Sequence, residues 1–218
     1  MQQKAFIFDL NGTMIDDMQY HIIAWHRILN ELGAGLSLER VKAECYGKND
    51  ELLERIFPGR FSEAEKNRMS LDKEKQYQEA FRPLLQLLPG LPPFLEQSKQ
   101  AGIPMSIGSA AIRYNIDFVL DGLDIRHYFN ALVSADDVQL SKPDPETFLS
   151  CAQRMGVDPA DCIVFEDAPK GVEAARRAGM KAVVITTLHE AHEFNDWDNV
   201  LFCAPDFNDP GMEQLLGE

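Results

Sequence analysis

The chain has 218 residues, 45% of them hydrophobic and 26% charged, with a formal net charge of -14. These are globular proportions, and at this length folding buries roughly 70% of the unfolded chain's surface. No basic stripe is available to displace counterions from a duplex, so nucleic-acid binding is excluded as a leading reading.

The acidity fits either a well-solvated surface or a group of carboxylates that holds a divalent cation, and only their placement can decide. Cys45, Cys151, Cys162 and Cys203 lie far apart and form no CxxC pair, which argues against a zinc site or a disulfide framework. No signal-peptide pattern is visible. No apolar run approaches the roughly 18 residues of a membrane span. A cytoplasmic monomer without membrane contact is the expectation.

Taken in chain order, Ala5-Phe6-Ile7-Phe8 is an apolar run without alternation that stops at Asp9. Such a run suits a strand covered on both faces. Asn11-Gly12-Thr13 breaks it, and Tyr20, Ile23, Ala24, Ile28 and Leu32 then recur at helical spacing up to Gly33 and Gly35. From about Ser37 to Leu88 every segment reads as helix. Ser37 and Ser62 are candidate N-caps, and Ser62-Glu63-Ala64-Glu65 fits a capping box. Pro58-Gly59 and Pro89-Gly90 punctuate this block.

Strand and helix alternate beyond it. Helices are expected over 92–101, 112–121, 145–155 and 169–178, and strands over 103–107, 131–134, 162–165, 181–185 and, at the tail, 200–202. Repeated strand–helix units imply a parallel sheet with helices on both faces. The helical block is an insertion after the first strand and its turn, and is expected to form a cap over residues 16–87. The core would comprise residues 1–15 and 88–218.

Open parallel sheets bind ligands beyond the carboxyl ends of their strands. Asp9, Ser109 and Glu166-Asp167 each follow a predicted strand, and Lys142 stands in Ser141-Lys142-Pro143 just before a helix. Magnesium takes hard oxygen ligands, which Asp9, Glu166 and Asp167 can supply. A carboxylate can also attack phosphorus and form an aspartyl phosphate. Lys142 brings positive charge to a transferring phosphoryl group. Ser109 and backbone N–H groups near Gly12 and Gly108 can hold phosphate oxygens. Each residue alone also fits a bland role: a turn aspartate, a serine N-cap, a solvated loop lysine, or acids favouring a helix dipole. Four such features at strand ends, in this order, favour the site.

Phe8-Asp9-Leu10-Asn11-Gly12-Thr13, Gly108-Ser109, Lys142 in SKPDPETF, and Glu166-Asp167 in FEDAPKGVEAA resemble the four signatures of the haloacid dehalogenase superfamily. The helical block after the first signature is similar to the branch that contains β-phosphoglucomutase and small-molecule phosphatases. The resemblance implies an α/β fold, a three-layer Rossmann-like parallel-sheet core with an inserted helical cap domain. It implies a magnesium-dependent phosphatase or phosphomutase acting on a small phosphorylated metabolite such as a sugar phosphate. Asp9 would be nucleophile and metal ligand, Asn11 a ligand through its backbone carbonyl, and Glu166 and Asp167 the remaining ligands. Gly12, Thr13, Ser109, Ala110 and Lys142 would contact the phosphoryl group. His21 matches a cap-hinge histidine, with a structural or a substrate-side role.

Two departures follow from the same resemblance. The family usually carries an aspartate at the position of Asn11, acting as general acid and then base. An amide can do neither near neutral pH. Loss of one such group typically slows a reaction by about 10²–10⁴-fold. Three readings stand open: a specialised phosphatase for good leaving groups, an engineered trap, or a binder that does not turn its ligand over. The second departure is in the cap, where Gly47-Lys48-Asn49-Asp50-Glu51 offers Lys48 instead of the mutase's arginine. His189 and His192 have metal-compatible spacing but no evident third ligand, and read as an exposed helix end.

Overall fold

In a computed structural model, which describes residues 4–217, the strands are β1 Ala5–Phe8, β2 Met105–Gly108, β3 Ala131–Val133, β4 Cys162–Glu166, β5 Lys181–Ile185 and β6 Val200–Ala204. They form one sheet in the order β3-β2-β1-β4-β5-β6, and every neighbouring pair is parallel. The chain moves outward from β1 to β2 and β3, then returns to β1's other side for β4. The strand order therefore reverses between β1 and β4, where a doubly wound sheet opens a crevice at its carboxyl edge.

The helices are α1 Met18–Glu31, α2 Leu38–Glu44, α3 Asn49–Ile56, α4 Glu63–Phe81, α5 Leu91–Gln100, α6 Arg113–Gly122, α7 Glu146–Met155, α8 Pro169–Arg177 and α9 Pro210–Leu216. The chain divides into two compact units, residues 17–85 and the remainder.

Within the sheet unit, β1 is buried at all four positions, and its side chains alternate between two cores. Ala5 and Ile7 join Phe148, Cys151, Val164, Val172 and Val184 on one face. Phe6 and Phe8 join an aromatic cluster on the other. Phe8 stacks on Phe165 at 4.6 Å and Phe6 on Phe94 at 5.4 Å. Burial on both faces is what the unbroken apolar run implied.

The helical unit has its own core of Ile22, Trp25, Ile28, Leu29, Val41, Leu52 and Leu53. Ser37 caps α2 by accepting from the Arg40 N–H, and Ser62 and Glu65 form the expected capping box on α4.

Differences from the sequence reading have local causes. β2 begins at Met105 instead of 103 because Pro104 has no N–H to give; its carbonyl instead accepts from Phe6 N–H at 2.9 Å. Glu166 is the last residue of β4 and does not follow it. Asp17 sits at the N-cap of α1, but its side chain makes no capping bond; the carboxylate is drawn inward to Tyr77 and His21. His189 precedes a short 3-10 turn, Ala191–Phe194, and His192 lies within it, with His189 bonded to Glu193 at 3.0 Å. Among the described residues no helix is long and apolar enough to cross a membrane.

Candidate active site

The parallel register brings together the ends of β1 and β4. Asp9 N–H continues the ladder to the Phe165 carbonyl at 2.9 Å, so Asp9 stands level with Glu166. Lys142 arrives from the loop after β3 and donates from Nζ to Asp9 Oδ1 at 2.6 Å and to Glu166 Oε1 at 2.7 Å. Phe148 lies 4.6 Å from the same ammonium at its ring centroid. Burial works against the Lys142 charge, but the Asp9 and Glu166 carboxylates outweigh it and hold the ammonium above its usual pKa.

Glu166 is fixed at both ends. Its Oε2 accepts from the Asp167 and Ala168 N–H groups, each at 2.9 Å, at the start of α8. The carboxylate lies against Gly171, where an added Cβ would come within 1.8 Å of Oε1. Glycine at 171 is therefore a steric condition for this placement. By lone-pair count, Oε2 is filled and Oε1 is the oxygen that can turn to a cation.

Asp167 completes the group. Ligand atoms of Asp9, Glu166 and Asp167 all lie within 4.8 Å of one another, and all three residues are buried. Burial first, then the Glu166 and Asp9 charges, push the Asp167 carboxyl well above its ordinary value. Three buried carboxylates facing one ammonium leave an excess of negative charge, and the donors are hard oxygens. Both properties fit a magnesium-like ion.

The turn after β1 supplies the next ring of groups. Gly12 adopts a left-handed φ of 76°. Its N–H donates to the Ile15 carbonyl at 2.8 Å, while its carbonyl accepts from the Thr187 hydroxyl. Thr13 is fully buried and its hydroxyl reaches Asp167 Oδ1 at 3.4 Å. Asn11 is half-buried and bridges to Ile15. Ser109, at the end of β2, accepts from the Ala111 N–H at 3.1 Å, so its own hydroxyl hydrogen is left to donate elsewhere. Ala110 is half-buried beside it.

The two candidates in the helical unit lie in different settings. Lys48 occupies the N-cap of α3, and its N–H donates to Glu51 at 3.1 Å. His21 is 7% exposed and sits in a buried polar network. That network includes Lys73, Glu74 and Tyr77, which sequence reasoning did not single out. Thr187 was missed as well, because nothing in its sequence context points back to Gly12.

This sheet order and this strand-end cluster define a class of α/β enzyme that handles phosphoryl groups. The comparisons agree: residues 3–179 match the model of the haloacid dehalogenase-like hydrolases, and the chain belongs to that family. It is an enzyme of the family's phosphatase or phosphomutase type.

The chain is 37% identical over 188 residues to fructose-1-phosphate phosphatase YqaB of Escherichia coli K12, covering 84% of this chain and 97% of that protein. It is 36% identical to β-phosphoglucomutase of Bacillus subtilis over 83% of this chain and 82% of that one. In three dimensions it resembles β-phosphoglucomutase of Clostridium difficile with a TM-score of 0.84 and 27% identity, covering 99% and 97% of the two chains.

Proposed function

We propose that this enzyme is a magnesium-dependent phosphatase or phosphotransferase for a small sugar phosphate, working through a phosphorylated Asp9. The observation that carries the proposal is the Lys142 bridge between Asp9 and Glu166 at the switch point of the sheet. Relatives named for fructose 1-phosphate, hexitol phosphates and phosphoglucose support the substrate class.

Lys142 orients the Asp9 carboxylate and offsets charge as an anionic phosphoryl group approaches. The Asp9 oxygen bonds to phosphorus while the ester oxygen departs with its electron pair. Water then attacks phosphorus, and Asp9 leaves as a carboxylate. Thr13 and Ser109, with the turn at Gly12 and Ala110, contact the phosphoryl oxygens.

Asp9, Asp167, Glu166 and the Asn11 carbonyl would hold the magnesium ion. When bound, the ion supplies charge neutralisation between the carboxylate and the incoming phosphate. In the helical unit, His21 and Lys48 are the residues we assign to the sugar portion.

The test is steady-state phosphate release from a panel of sugar phosphates, with and without magnesium. Asp9→Asn is expected to lower kcat by about 10⁴–10⁶-fold, as removal of a nucleophile does in other covalent enzymes. Turnover that survives this substitution, or that needs no divalent ion, would sink the assignment.

A further inference from the structure

Resting on the Asp9 reading above, we propose that Asn11 makes this enzyme selective for phosphates whose leaving oxygen is stable as an anion. These are acyl, aryl and enol phosphates and, among sugar phosphates, those phosphorylated at the anomeric carbon.

Asn11 is the side chain that the fold sets beside the attacking carboxylate. Asp9, Leu10 and Asn11 continue from β1, and Asn11 forms a parallel bridge with Ile15. Side chains of an extended segment alternate between its two sides. Leu10 is fully buried in the core, whereas Asp9 is 7% exposed and Asn11 half-buried. Asp9 and Asn11 thus share the side opposite Leu10. The Gly12 N–H bond to Ile15 and the Thr187 hydroxyl on the Gly12 carbonyl hold this turn in place.

The amide of Asn11 has no proton to give near neutral pH, and its neighbours do not replace it. Lys142 is pinned between Asp9 and Glu166, so losing its proton would leave both carboxylates without their counter-charge. Thr13 and Ser109 are alcohols, no more acidic than the alcohol that would be leaving. Asp9, Glu166 and Asp167 form the carboxylate cluster on the ion side.

The first half-reaction is then limited by the departing group. An Asp9 oxygen forms a bond to phosphorus, the bond from phosphorus to the ester oxygen breaks, and the electron pair stays on that oxygen. Its proton comes afterwards from water. A carboxylate or phenolate carries this charge readily, with conjugate acids near pKa ~4 and ~10 in the protein analogues. A primary alkoxide does not. An anomeric oxygen is intermediate, because the adjoining ring oxygen withdraws electron density. The second half-reaction escapes the same limit: water attacks phosphorus, Asp9 departs as a stable carboxylate, and the proton from water passes to solvent.

The experiment is a series of substituted phenyl phosphates, turned over by the whole chain in magnesium and compared with Asn11→Asp. In the native protein kcat/KM should rise steeply as the phenol becomes more acidic, and the slope should flatten in Asn11→Asp. The same substitution should raise glucose 6-phosphate turnover relative to p-nitrophenyl phosphate by about 10²–10⁴-fold, the usual worth of one general acid.

Equal slopes in the two proteins overturn the proposal. So does a native rate indifferent to the leaving group, a result that stands even if Asn11→Asp does not fold. Asn11→Ala should keep the steep native slope, and a shallow one also overturns the proposal. Persistence of turnover in Asp9→Asn is a different failure: it removes the nucleophile assignment, which the slope comparison does not address.

Discussion

In the sheet unit, three buried carboxylates share one lysine. In the helical unit, Asp17 and Glu74 share Lys73 and His21. Asp17 Oδ2 accepts from the Tyr77 hydroxyl and lies 3.2 Å from His21 Nε2. Lys73 reaches His21 Nδ1 and, at 3.0 Å, Glu74, and Asn49 donates to Glu74 at 2.6 Å. An ammonium can only donate, so His21 Nδ1 accepts and Nε2 carries the hydrogen toward Asp17. His21 also stacks on Tyr77 at 3.8 Å. Burial, then the Asp17 charge, raises the Tyr77 phenol above its ordinary value.

The second network sets two carboxylates against one ammonium and is tied together by directed hydrogen bonds. The first is overloaded with negative charge. Burial alone therefore does not mark a reaction centre: the uncompensated charge does, because it is costly unless a ligand completes it.

Lys142→Met breaks this comparison most severely. It leaves three carboxylates buried without their lysine, and removing one partner of a buried ion pair typically costs about 3–5 kcal/mol. A matching fall in the urea midpoint is expected, together with loss of phosphate release. Unchanged stability would mean that the cluster is hydrated and not under charge stress. Lys73→Met should cost somewhat less, about 3 kcal/mol, because it leaves two buried carboxylates instead of three, and Tyr77 and Asn49 still donate to them. Its urea midpoint should therefore fall by less than that of Lys142→Met. A loss larger than that of Lys142→Met would overturn this ranking of the two clusters.

The two clusters also differ in how far the sequence disclosed them. Asp9, Ser109, Lys142 and Glu166-Asp167 were legible because each stands at a strand end or a helix start, and a parallel sheet gathers such positions at one edge. The parallel sheet and inserted helices followed from the order of apolar runs. The network around His21 was not legible, because its partners lie 52 and 60 residues apart, from His21 to Lys73 and from Asp17 to Tyr77.

Asp17 stands just before α1, where an aspartate ordinarily caps, and only packing reveals that its carboxylate turns inward. Helix α9 was missed for another reason: seven residues starting at Pro210 are too few to display a helical period. The double fixing of Glu166, by Lys142 and by the start of α8, needed the chain folded back on itself.

Magnesium sharpens the contrast without any turnover. Binding to the folded state alone should add about 2.7 kcal/mol at a concentration one hundred times Kd, read as a rise in thermal midpoint. Asp167→Asn should abolish the rise, whereas Lys73→Met should retain it, since Lys73 belongs to the helical unit and not to the Asp9-Glu166-Asp167 cluster. A rise that survives in Asp167→Asn would place the ion elsewhere.

The smallest expected effect comes from a third, more exposed cluster in the sheet unit, after β3. Asp137 accepts from the Ser134 N–H at 2.8 Å and from its hydroxyl, and pairs with Arg154 at 2.8 Å. Burial pushes its carboxyl up, but the bonds from Ser134 and Arg154 outweigh this and hold it at about 2, against an ordinary 3.8. A depressed folded-state value stabilises above the unfolded value, and the contribution is lost as pH falls from near 3.8 through about 2. At about 1.4 kcal/mol per pKa unit, discounted because the side chain is 21% exposed, Asp137→Asn should cost about 1–2 kcal/mol at pH 7. The difference in urea midpoint from the native protein should shrink as pH drops from 4 toward 2. Here one carboxylate meets both Arg113 and Arg154, and solvent shares the work, so the penalty is smaller and salt should reduce it further.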